Sequence, residues 1–135
     1  MKRLLMIALL LMSAPAAAQT VLADGGDWSG VPEIQPRGEH RMSFASMNRI
    51  EELAKSGECT VSGLGRRQID LSVPFILEFT PEGQVKTVVV RELGCDRLES
   101  IMGGVIIQLA RAGEYKPTGE NRLGWYRSEL SFRLQ

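Results

Sequence analysis

The sequence offers little of what metal centres and catalytic sites are made from. It holds one histidine, His40, and two cysteines, Cys59 and Cys95, in 135 residues. A structural zinc site takes about four such ligands, and these three do not make one. The cysteines form no C-x-x-C pair, which removes a thioredoxin-type redox motif. His40 falls in a stretch rich in Gly, Pro and charge and reads as a solvated residue, whereas a general base must be held in a cleft. Ser100 and Ser128 have no histidine partner in any recognisable arrangement. Gly63-Leu64-Gly65-Arg66-Arg67 precedes a strand, so it lacks the helix N-terminus that a phosphate cradle uses, and it reads as a mobile loop. The reading is of a non-enzyme with no cofactor and no metal.

Net charge is lacking too: 16 basic residues balance 16 acidic ones. That gives no electrostatic case for nucleic acid as a partner. Long apolar runs are confined to the start. Lys2 and Arg3 precede an apolar run from Leu4 to Met12, too short to span a bilayer with margin. Small residues follow and fit a cleavage site after Ala18. Residues 1–18 are therefore read as a cleavable secretory signal, and no cysteine lies near its end to carry a lipid. Removing it leaves about 117 residues and 14 basic against 16 acidic groups, the size of one small domain. No integral membrane anchor is expected.

What is present is periodicity. Residues 19–42 show little of it and read as a flexible arm, with Trp28 its one conspicuous apolar residue, equally readable as a plug on the domain or as a binding residue. From residue 43 to 135 the pattern is that of a folded domain. Ser43 is a plausible N-cap for a helix carrying Phe44, Met47, Ile50, Leu53 and Ala54, stopped by Gly57. Leu71, Val73, Phe75, Leu77 and Phe79 alternate with polar or outward residues, the strongest strand pattern in the chain. Thr80-Pro81-Glu82-Gly83 reads as a turn, and Gln84 to Leu93 returns as a second strand. Pro74 must sit where its nitrogen meets no neighbour. Asp96 and Glu99 open a second helix, with Leu98, Ile101, Met102, Val105, Ile106, Leu109 and Ala112 as its apolar side and Gly113 as its stop. Gly103-Gly104 inside it predicts a close approach to the sheet or a kink. A final strand puts Tyr126, Leu130, Phe132 and Leu134 on one face and Trp125, Arg127, Glu129, Ser131 and Arg133 on the other. The expected fold is α+β, a two-layer sandwich in the order α-β-β-α-β, with a three-stranded antiparallel sheet and helices on one face.

This order, the turn Phe79-Thr80-Pro81-Glu82-Gly83-Gln84-Val85, the step Tyr115-Lys116-Pro117 and the closing Leu130-Ser131-Phe132-Arg133-Leu134 together resemble the C-terminal domain of TonB and its relatives. The resemblance spans Ser43 to Gln135. It implies a periplasmic protein-binding module that docks an extended segment of an outer-membrane transporter, or of another envelope protein, by β-strand addition. It places the partner on the last strand, at Trp125, Tyr126, Arg127, Ser128, Glu129, Leu130, Ser131 and Phe132, with a lesser part for Gln68 to Ser72. Trp125 and Arg127 are residue types frequent at interface hot spots. The chain departs from the energy-transducing members: it has no retained anchor in this reading, and its arm of about 24 residues reaches at most roughly 80 Å.

The hairpin also places the cysteines. With the turn centred near Glu82, Asp70 faces Gly94, and Cys95 lies at the end of the sheet that Cys59 can reach. A Cys59–Cys95 disulfide is expected, the default after export. Two other functions stay open: a stand-alone envelope protein that self-associates edge to edge, and a small secreted enzyme or inhibitor.

Overall fold

The computed structural model describes residues 20–38, 41–117 and 124–134. The expected secretory signal, His40 and Gln135 lie outside them. The elements are β1 (Thr20–Asp24), α1 (Phe44–Ser56), β2 (Ile69–Phe79), β3 (Val85–Arg91), α2 (Asp96–Arg111) and β4 (Trp125–Leu134). No helix among the described residues is long and apolar enough to cross a membrane.

The centre is β2. Its residues alternate between buried and more exposed along the whole strand, so one row of side chains enters the core. Val73, Phe75 and Leu77 are fully enclosed there. β4 lies antiparallel along β2 from Ile69↔Leu134 to Glu78↔Trp125. β3 lies antiparallel on the other side from Phe75↔Val90, and a bulge at Glu78/Phe79 shifts the register by one. Pro74 is accommodated because pairing with β3 begins only at Phe75: its nitrogen points to the β3 side, just outside the paired stretch. Gly83, with φ 81°, makes the turn, closed by hydrogen bonds between Thr80 and both Gly83 and Gln84.

The expected three-stranded antiparallel sheet is corrected to four strands in the order β1-β3-β2-β4. The added strand comes from the supposed arm: β1 pairs parallel to β3, with Leu22 beside Val89. Five residues with no clear period gave no strand pattern by themselves. They are held by a partner far along the chain.

Both helices cover one sheet face and share a single core with β2, β3 and β4. α1 starts at Ser43, whose side chain accepts the Ser46 N–H, and ends at Gly57 with φ 69°. Ile50, Leu53 and Ala54 point inward, but Phe44 is 82% exposed. Successive three-residue steps drift around a helix of 3.6 residues per turn, which puts Phe44 about 120° from Ile50. α2 begins one residue earlier than its acidic pattern suggested. Cys95, not Asp96, is the N-cap and its sulfur accepts the Leu98 N–H. Glu99, 6% exposed, reaches back to accept the N–H groups of Leu93 (3.1 Å) and Cys95 (3.2 Å). A buried carboxylate is tolerable because backbone donors satisfy it.

The Cys59–Cys95 disulfide is present, with Cα atoms 5.7 Å apart. It ties the connection after α1 to the start of α2. The loop that carries Gly63 and Leu64 folds back on β2: Gly63 accepts the Asp70 N–H at 2.8 Å, and Leu64 is buried in the core. It is therefore part of the packed structure and not the mobile loop expected. Replacing both cysteines by serine is expected to lower stability by roughly 4 kcal/mol in the chain-entropy model, measured by denaturant unfolding of oxidised protein.

Gly103 faces β1. A methyl group there would overlap Cγ1 of Val21, whereas one at Gly104 would meet nothing within 4 Å. Close approach of α2 to β1, not a kink, accounts for the first glycine. Gly104→Ala should therefore stabilise by up to about 1 kcal/mol through helix propensity. Gly103→Ala should destabilise by about 1–2 kcal/mol through overpacking, and the Gly103→Ala/Val21→Ala pair should recover most of that loss in equilibrium unfolding.

Candidate protein-binding edge

The backbone groups of β4 alternate between β2 and the outside. Arg127 shows which face outward: its N–H donates to the Pro32 carbonyl at 2.8 Å, and its own carbonyl accepts the Ile34 N–H at 2.9 Å. By the two-residue repeat of a strand, Trp125, Glu129, Ser131 and Arg133 also turn their N–H and C=O outward. Arg127 is thus already partnered, by residues of this same chain, through a parallel bridge with Glu33.

Those partners belong to a strap, residues 25–38. It leaves β1 at one edge of the sheet and crosses the face opposite the helices. Trp28 is 7% exposed and lies under Arg91, whose guanidinium carbon is 3.9 Å from the ring centroid. Arg91 also donates to the Gly26 carbonyl. Trp28 and Val89 are both buried, yet neither belongs to the main core. Arg127 Nε donates to the Val31 carbonyl at 2.7 Å. The strap then rounds the β4 edge, buries Ile34 in the main core, and ends with the Arg37 N–H on the Glu114 carbonyl. Trp28 is therefore a plug on the domain. Arg91 is the residue that holds it.

The expected partner residues separate into two groups. Trp125, Tyr126, Arg127 and Ser128 lie where the strap runs; Tyr126 is buried, edge-on to Phe79 with centroids 5.7 Å apart, and Trp125 is half-buried. Arg127 spends its side chain on the strap. Glu129, Leu130, Ser131 and Phe132 lie beyond it. Among the described residues, no segment pairs with the outer side of β4 from Glu129 to Arg133. On the helix side of this stretch, Phe132 and Leu134 are partly buried against the core. On the other face, Ser72, Glu129 and Ser131 form one hydrogen-bonded cluster, and Arg133 pairs with Asp70 at 3.0 Å. Of the lesser region, Ile69 is buried and Asp70 and Ser72 join these surface pairs.

A groove of about 230 Å³ remains between strap and sheet, lined by Trp28, Glu33, Pro74, Arg91, Arg127 and Glu129 among others. At its rim the Ser29 N–H holds the Asp27 carboxyl below its ordinary 3.8. In the core, burial pushes the Tyr115 phenol well above its ordinary value, with the nearby Glu114 charge adding to it; the ring packs edge-on to Phe75. Among the described residues, no group of three or more His, Cys, Asp or Glu side chains is placed to hold a metal ion.

Comparison with protein-family models, with curated proteins and with solved structures finds no match to this chain.

Trp28→Ala is expected to release the strap, at a cost of roughly 3 kcal/mol. Hydrogen exchange should then lose protection at the Ile34 and Arg127 amides while the Leu77 and Val90 amides keep theirs.

Proposed function

We propose that this protein is a binding module of the cell envelope that takes an extended segment of another protein onto the outer edge of β4, between Glu129 and Arg133. The observation that carries this reading is the pairing at Arg127. The chain's own strap already bonds to this edge as an added strand would, and it leaves the next outward-facing groups, those of Glu129, Ser131 and Arg133, for another chain. Strand addition supplies backbone hydrogen bonds for affinity and alternating side-chain environments for selectivity. Here the two environments differ. An incoming residue on the helix side meets the partly buried Phe132 and Leu134; one on the other side meets Glu129, Ser131 and Arg133. A segment of alternating apolar and polar residues fits both. The resemblance to the TonB C-terminal domain supports the same edge and suggests an outer-membrane transporter or another envelope protein as the source of that segment. The disulfide is compatible with an oxidising compartment. The proposed stretch keeps Glu129 to Phe132 of the expected partner residues and adds Arg133.

Ser131→Pro tests the proposal directly. The Ser131 N–H points away from β2, so proline there removes an outward donor and leaves the β2–β4 ladder intact, as edge strands allow. The variant should fold with an unchanged near-ultraviolet circular dichroism spectrum and bind its partner roughly tenfold more weakly. Leu130→Pro, whose nitrogen faces β2, should unfold the domain instead. In a pull-down from native envelope extract, an absence of any partner enriched by wild type over Ser131→Pro would overturn the reading.

A further inference from the structure

The sheet has a second edge, and its chemistry is different. The large hydrophobic side chains exposed among the described residues are Val21, Leu22 and Phe44, and two of these three lie on β1. Leu22 is 53% exposed and Val21 37%. The Asp24 carbonyl accepts the Glu92 N–H at 3.1 Å, so Thr20, Leu22 and Asp24 turn their backbone groups to β3. Val21 and Ala23 turn theirs outward. β1 is the terminal strand of the sheet, and its sequence TVLAD has no lysine, proline or bulge to protect the edge, its one charge being Asp24 at the end.

We infer that β1 is the interface of a homodimer, formed by antiparallel pairing of β1 with β1 of a second copy about a two-fold axis at Leu22. In that register Val21 of one copy faces Ala23 of the other, and each such pair exchanges both of its backbone hydrogen bonds. Leu22 meets Leu22 across the axis, in a pair that makes no ladder hydrogen bonds and brings the Cα atoms to about 4.5 Å. The exposed leucines then cover each other on the face opposite the helices. One sheet then runs unbroken through both copies, and the interface is isologous, with the same strand used by each copy.

Charge selects this occupant. One end of the β1 edge is acidic: Asp24 closes the strand, Glu92 bonds to it, and α2 opens there with Asp96. The opposite end carries two cations: Thr20 pairs with Thr87, next to Lys86, which is 62% exposed and lies 3.9 Å from Glu78, and α2 closes toward that end with Arg111. Antiparallel two-fold pairing lays the acidic end of each copy against the end of the other that carries Lys86 and Arg111. Parallel pairing would set like charges together.

The test uses the purified protein with its N-terminus read by intact mass. Sedimentation equilibrium should show a concentration-dependent dimer for wild type. Leu22→Lys and Leu22→Glu should each be monomeric, with unfolding midpoints close to wild type in its monomeric range. Mixing the two variants should restore a dimer containing one of each, because position 22 meets itself across the axis. Wild type remaining monomeric to millimolar concentration would overturn the inference. So would a dimer that survives Leu22→Lys, or a mixture of the two variants that stays monomeric.

Discussion

The apolar row of β2 is the constraint to which the rest of the structure answers. Val73, Phe75 and Leu77 are fully enclosed, and the strand is paired on both sides along part of its length. A central strand buried on one face fixes its register, because a slip of one residue would turn every apolar side chain outward. With β2 fixed, β4 must present Tyr126 and Leu130 to the same side, and β3 must present Val88 and Val90. The helices then have one surface to cover. Glu99, the disulfide and the Gly57 stop serve to deliver α1 and α2 to that surface at the right height.

The two edges of the sheet are managed by different means. At β4 the chain covers part of its own edge with the strap. Two arginines hold that strap: Arg91 over Trp28, Arg127 on the Val31 carbonyl. Hydrogen bonding and an enclosed aromatic ring do this work on a face that would otherwise be solvated. At β1 no such cover exists among the described residues, and the close seat of Val21 on Gly103 places the strand flush with α2. A partner strand at β4 and a second copy at β1 would occupy opposite edges of the sheet, so neither excludes the other.

Much of the fold was legible in the residues. The alternation from Leu71 to Phe79, the Ser43 cap, the Gly57 stop, the turn at Gly83 and the buried face of the last strand all follow from local patterns. The cysteine pairing followed from hairpin arithmetic, although the bulge at Glu78/Phe79 shifts that register by one. The strap was not legible. Trp28 has no neighbours of periodic character, and its contact, Arg91, sits far along the chain and looks like any surface arginine. β1 was missed for the same reason, and Asp96 was favoured over Cys95 as a cap because a disulfide sulfur is a weak acceptor that pattern rules do not weigh. The candidate edge was legible as a strand but not as a half-occupied one.

That division has a physical cause. Side chains differ from residue to residue, so their period along the sequence declares which face of a strand or helix is buried. This much the chain determines locally: two amphipathic helices, a hairpin and a terminal strand, with one face of each turned inward. Backbone N–H and C=O groups are the same at nearly every residue, so nothing local says whether a given edge is paired, covered or left open. Only the path of the chain through space decided that Arg127 is taken by Pro32 and Ile34, that Ser131 is not paired on its outer side by any described residue, and that Leu22 stands at the border of the sheet.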